Sequence, residues 1–280
     1  MPGLPSWHIV LSFGMLRIYV STKSTRNTGC FFICLWFSSG ACGGKRGRRQ
    51  RTAELIRPIL RGRDIKRYGY NWANLWLIYI PWHFPYQFDN SITGASEKAE
   101  QAFKEQYPAV YAHMLQYKDP LSKRNKAETG IRYEWYAMQR WGAKYLEDFS
   151  KPKIMYPNMT KYMPFYYDEK CFYQNDKSFM ITGKHVSYLA AFLNSSIFKF
   201  CFRDNFPELL GGTRELRKIF FDKIPVLKVS NEENEEFRKI VNNIQSNYTK
   251  EEALKIDSML FDLYNLTGEE RDYIGFREIQ

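Results

Sequence analysis

At 280 residues the chain can hold one large domain or two smaller ones around a real core, and 44% of it is hydrophobic and 17% aromatic. With a mean hydropathy of −0.50 and no apolar run near the length of a bilayer crossing, it is neither a disordered chain nor one with a membrane-spanning helix. The net charge of +11 invites an acidic partner, but residues 1–51 hold eight basic side chains and no acid, while 52–280 hold 33 basic and 30 acidic ones. Within that body the basic excess lies in 52–160, with 16 basic and 11 acidic residues, so a nucleic-acid reading rests there rather than on the whole-chain charge.

Residues 1–51 read differently from the rest. Their one apolar run, CFFICLWF at 30–37, is too short to span a bilayer and poorly placed for a signal peptide. KRGRRQR at 45–51 suits a nucleic-acid-binding arm. The account preferred for this basic head is translation of an unrelated frame or a truncated gene start, poorly ordered and joined abruptly to the body near Thr52. Cys30, Cys34 and Cys42 sit in the head and Cys171 and Cys201 in the body, without CxxC spacing or a Cys/His cluster. Neither zinc nor a disulfide framework is expected; reduced thiols and a cytoplasmic location are.

The body opens on TAELIRPILRGRDIKRYGY at 52–70. Leu55, Ile56, Ile59 and Leu60 lead into a turn bearing Arg61, Arg63, Lys66 and Arg67, with Asp64 its one acid and Tyr68 and Tyr70 flanking Gly69. Cations of this kind meet phosphates and rings stack or wedge, although a solvated charged turn is the commoner use of such residues. Residues 74–82 predict a strand and 96–106 an amphipathic helix, with Pro108 opening a second helix through Leu115. The basic run at 118–144, around Trp135 and Trp141, is either a second DNA-facing surface or an exposed loop followed by a helix anchored by its tryptophans.

Segments 151–159, 164–169, 171–176 and 178–182 predict an antiparallel β-meander, separated by turn residues. Val186, Leu189, Ala190, Leu193, Ile197, Phe200 and Cys201 recur at three- and four-residue steps, which predicts one helix over 185–203 with a single apolar face. Gly211-Gly212 then precedes Arg214, Arg217 and Lys218, either admitting a phosphate to the backbone or making a plain turn, before a short apolar strand ending at 227. The tail is helical, with capping-box spacings at Ser230…Glu233, Thr249…Glu252 and Thr267…Glu270.

Catalytic signatures are missing. The sequence has no GxSxG, P-loop, HExxH or GxGxxG, and its four histidines lack a partnered nucleophile. The glycine-rich loop and the Asn/Asp-Pro-Pro-aromatic loop of adenine methyltransferases are absent, and Asp168-Glu169-Lys170 lacks the Glu-x-Lys spacing of metal-dependent nucleases.

Seven segments in order carry a resemblance: IRPILRGRDIKRY (56–68), YPAVYAHML with LSKR (107–124), WYAMQR (135–140), KPKIMYPNM (151–159), YLAAFLNSSIFKF (188–200), GGTRELRKIFFDKIPV (211–226) and IDSMLFDLYNLTGEE (256–270). Together they resemble the TaqI-like C-terminal specificity, or target-recognition, domain of type IIG restriction–modification enzymes and adenine-specific DNA methyltransferases. The LNS helix, glycine, basic stretch and IPV also look like target-recognition domains of type I specificity subunits. The resemblance implies an α+β fold of short antiparallel strands and packed helices with a helical C-terminal tail. The implied layout is the head at 1–51, a DNA target-recognition domain at 52–228 and the tail at 229–280.

It further implies sequence-specific recognition of double-stranded DNA for a methyltransferase domain or subunit, and no membrane partner. No cofactor is expected on this chain; S-adenosylmethionine, and magnesium for cleavage, would belong to the missing catalytic domains. The expected DNA contacts are Arg61, Arg63, Lys66, Arg67 and Tyr68, then Lys123, Arg124, Lys161, Arg214 and Lys218, each with solvated surface as its alternative. The competing readings are an intact enzyme with unrecognised motifs, a free-standing specificity subunit and an inactive gene remnant.

Overall fold

The computed structural model describes residues 8–10 and 52–276, so the expectations for the rest of the basic head lie outside the described residues. The described elements in chain order are β1 (His8–Val10), β2 (Ile56–Leu60), β3 (Ile65–Lys66), β4 (Gly69–Tyr70), β5 (Trp76–Ile78), α1 (Glu97–Gln106), α2 (Pro108–Leu115) and α3 (Lys118–Ser122). There follow β6 (Lys153–Pro157), β7 (Met159–Thr160), β8 (Tyr166–Asp168), β9 (Tyr173–Gln174), β10 (Ser178–Thr182), α4 (Val186–Leu193) and α5 (Ser196–Asn205). The last are β11 (Arg214–Glu215), α6 (Lys218–Phe221), α7 (Asn231–Ser246), α8 (Lys250–Leu263) and α9 (Gly268–Ile274). The fold is α+β, with short antiparallel strands and a helical C-terminal end.

The chain divides into two compact units, β1 and Leu60–Ala73 grouping with Glu147–Gln280, and residues 52–59 with 74–146. In the second of these, β2 pairs antiparallel with β5, Ile56 opposite Ile78. The strand ends at Ile78, short of the expected 82: Tyr79 N–H still donates to the Leu55 carbonyl in register, but the next carbonyl, that of Ile80, accepts from Met138 N–H instead. Ser96 caps α1 by accepting from Ala99 N–H at 3.2 Å, and Pro108 supplies the first residue of α2. The expected helix after the basic run is absent: 123–142 are turns and irregular backbone, and Tyr133 through Met138 are buried. Trp135 Nε1 donates to Glu100 at 2.7 Å and Trp82 Nε1 to the Met138 carbonyl at 2.6 Å, so the buried Trp135 and the half-buried Trp82 both have satisfied polar ends.

The other unit is layered. Its main sheet runs β1-β10-β6-β8, all antiparallel, with Met155 of β6 opposite both Met180 and Tyr166. A meander would place β8 in the middle. Here β6 is central, because all five of its residues are buried and can be covered on both faces. Against this sheet lies α4, buried at all eight positions and covered on its other side by α7. A helix apolar all round belongs inside, whereas a single apolar stripe would leave it at the surface.

The expected single helix over 185–203 is therefore two. Asn194 ends α4 by donating to the Ala190 and Phe165 carbonyls, and Ser195 caps α5 by accepting from Phe198 N–H. The residues after α6 form no strand; Ile224 and Val226 pack on the core from irregular backbone. Phe237, Ile240, Val241 and Ile244 of α7, and Ala253, Ile256 and Leu260 of α8, join the cluster formed by α4 and the sheet. The tail helices thus pack into the same core as α4 and the sheet. Its caps at Ser230 and Thr267 are reciprocal boxes, while at Thr249 only the hydroxyl half of the box is made.

Candidate nucleic-acid interface

The basic turn after Leu60 is built on a 3-10 turn at Gly62–Asp64, followed by the β3–β4 hairpin. Asp64 accepts from Arg61 N–H at 2.9 Å, Nε at 2.8 Å and Nη2 at 2.6 Å, a bidentate pair that leaves the Arg61 side chain only 18% exposed. Arg61 is committed to holding the turn. Gly62 lies so close to the neighbouring β-turn that a Cβ there would collide with the Lys177 carbonyl oxygen. These two constraints fix the backbone from which Arg63 and Lys66 project, both exposed.

Arg67 is also fixed, but in a different role. Its Nη2 donates to the Asn194 carbonyl at 2.8 Å and its Nη1 to Tyr248 Oη at 2.9 Å, while the guanidinium lies 5.6 Å from the Tyr248 ring. Below it Asp257 accepts from Ser196 N–H at 2.8 Å and Ser196 Oγ at 2.5 Å. Burial raises the Asp257 carboxyl's pKa, opposed by the Ser196 hydrogen bonds and the charge of Arg67. Tyr68 is packed against the same Arg67 guanidinium, 5.1 Å from its ring centroid: it is 3% exposed, its backbone N–H donates to the Phe165 carbonyl, and burial raises its hydroxyl's pKa. Tyr68 is a core residue, so its ring does not meet a ligand.

These residues form one wall of an open groove of about 1250 Å³, lying wholly within this unit. Its lining brings Arg63, Lys66 and Arg67 together with Lys161, Lys177 and Lys199, and contains no Asp or Glu. Arg63, Lys66 and Lys161 make no ion pair among the described residues, and the exposed Lys177 meets the half-buried Asp176 at 3.4 Å. Tyr162, Met159 and Tyr248 add apolar surface, at 54%, 51% and 48% exposure. A groove lined by cations and interrupted by exposed rings presents positive potential to a polyanion and flat faces to its bases.

The remaining expected contacts lie elsewhere. Arg124 donates to the Leu121, Trp135 and Ala137 carbonyls, and burial lowers its guanidinium to about 10, so it ties backbone together inside its unit. Lys123 beside it is solvated, 3.7 Å from an equally solvated Asp119. Arg214 pairs with Glu208 at 3.1 Å, donates to the Phe206 carbonyl and lies over the Phe202 ring, with 12% of its side chain exposed. Lys218 is held by Asp222 at 2.7 Å. Arg214 and Lys218 do not line the groove.

Lys177, Lys199 and Tyr248 escaped sequence reasoning, because each is a lone residue brought in from a turn, a helix and an interhelical loop. Asp168 has no metal-binding company. It pairs with the fully buried Lys153 at 2.6 Å and accepts from the Lys170 and Phe172 N–H groups, and no acidic, His or Cys cluster suited to a metal occurs among the described residues.

The family described as the TaqI-like C-terminal specificity domain matches residues 57–226. The chain belongs to that family. All six groove cations fall inside the matched span, whereas Tyr248 and Asp257, which support Arg67, lie beyond its end. Among solved structures the specificity-domain chain is similar to one described as the type IIG restriction endonuclease BpuSI, at 15% identity and a TM-score of 0.40. That match covers 75% of this chain and 26% of the other, so the chain spans about a quarter of that structure's length. No curated protein matches it. Among the described residues no helix is long and apolar enough to cross a membrane.

Proposed function

We propose that this chain recognises a short sequence in double-stranded DNA, acting as the specificity part of a type IIG restriction–modification enzyme or a site-specific adenine-N6 methyltransferase. The observation that carries the reading is a groove with six basic residues and no acidic one, inside a member of the specificity-domain family. Lys66, Lys161 and Lys177 suit phosphate contacts that set position, and Arg63 is the exposed guanidinium able to fork onto a guanine edge. Arg67, held by Asn194 and Tyr248, adds fixed positive potential. Methyl transfer, with its S-adenosylmethionine, falls to a catalytic domain or subunit that this chain orients on DNA.

The test is selection from a randomised duplex pool by the 280-residue chain. The reading expects the retained duplexes to share one short sequence. A retained pool without any shared sequence, with the methyltransferase component absent or supplied, contradicts it.

A further inference from the structure

Beside the groove a short hairpin projects. β11 pairs antiparallel with β7, Arg214 opposite Thr160, and both residues of β7 line the groove. The hairpin continues past the Glu208–Arg214 bridge to a hydrogen bond from Leu209 N–H to the Thr213 carbonyl, and turns at Leu210-Gly211-Gly212. Gly211 and Gly212 have φ of 75° and 76°, so the reversal depends on residues that tolerate the left-handed region.

Its base is braced. Arg214 reaches the Phe206 carbonyl, the Glu208 carboxylate and the Phe202 ring, the last being a groove-lining residue. Its tip is bare: Leu210 is 98% exposed, the most exposed large apolar side chain among the described residues. The two acids of the hairpin are both paired, Glu208 with Arg214 at 3.1 Å and Glu215 with Arg217 at 2.8 Å, so the tip approaches phosphates without an unpaired negative charge.

We propose that Leu210 is a wedge that enters the stacked bases of a duplex held in the cationic groove. The proposal rests on the DNA reading above. Leu210 lies two residues beyond the Glu208–Arg214 bridge, so the tip reaches up to ~7 Å past it, comparable with groove depths of about 7.5 to 8.5 Å. Apolar side chains on stiff supports unstack base steps in this way, offsetting the lost stacking with closer backbone contact. The groove cations supply that backbone contact immediately beside the hairpin, which favours DNA over an apolar protein surface as the occupant.

Competition between two 30-base-pair duplexes, one fully matched and one with a single central T·T mismatch, tests the proposal on the full chain at low salt. A wedge binds the mismatched duplex about tenfold tighter, because its base step is already partly unstacked. Leu210→Ser removes that preference and Leu210→Phe retains it. Equal binding of both duplexes by the unaltered chain, or a preference that survives Leu210→Ser, overturns the wedge and leaves the DNA reading standing. Failure to bind either duplex overturns both. Leu210 touches little in the folded chain, so these variants keep their thermal stability.

Discussion

At the scale of single residues, charge alone does not identify a contact; the partners of each charge do. Arg63 and Arg61 are two positions apart, yet one is exposed and the other is clamped by Asp64. Arg63→Ala should weaken duplex binding with no change in melting temperature. Asp64→Ala should lower the melting temperature and also weaken binding, because the turn presenting Arg63 and Lys66 loses its brace. Arg124→Ala gives the opposite pattern: about 2–3 kcal/mol of stability is lost as three carbonyls lose a charged donor, with DNA affinity little changed. Denaturant melts alongside binding titrations separate these cases. Lys153→Ala strands Asp168 in the interior and should cost about 3–5 kcal/mol, measured in the same melts.

At the scale of elements, the turn at Gly62–Asp64 and the two helices split at Asn194 position the groove. Gly62→Ala forces the turn away from the Lys177 carbonyl, and should weaken DNA binding several-fold by displacing Arg63 and Lys66. In α2 of the other unit, burial lowers the pKa of His113 below its usual 6.5, and its Nε2 is buried without a hydrogen-bond partner. Folding therefore favours neutral His113. The stability this provides is complete above about pH 6.5 and is lost as pH falls through the lower folded value. A fall in melting temperature on acidification in that window should be reduced in His113→Phe; an unchanged pH profile in that variant would contradict the assignment.

Much of this local structure was legible in the sequence. Ser96, Pro108 and the Ser230 and Thr267 boxes announce helix starts through side chains that act within a few residues. The Asp64 clamp had a local signal too, an acid three residues after Arg61. Ser195 could have marked the break that ends α4, but the apolar repeat running through it masked the cap. Strand order was not legible, since placing β6 between β8 and β10 depends on which strand is covered on both faces. Nor was the burial of Tyr68 and Arg124, which polar or charged side chains conceal when read one at a time.

At the scale of the molecule, the +11 charge overstates the body, and the groove is where its positive field is concentrated. The family match covers the groove cations, while the helical tail holds Arg67 through Tyr248 and completes the core around α4. Removing the tail should therefore unfold the unit that carries the groove. The central claim is that this groove engages duplex DNA through its phosphates. The most direct measurement is the dependence of duplex affinity on salt, compared between the chain and its Lys66→Ala/Lys161→Ala/Lys177→Ala variant. Each phosphate contact contributes about 0.9 to the logarithmic salt slope, so the triple variant should bind more weakly with a slope shallower by about 2 to 3. An unaltered affinity and slope in a variant that melts like the parent would contradict the account.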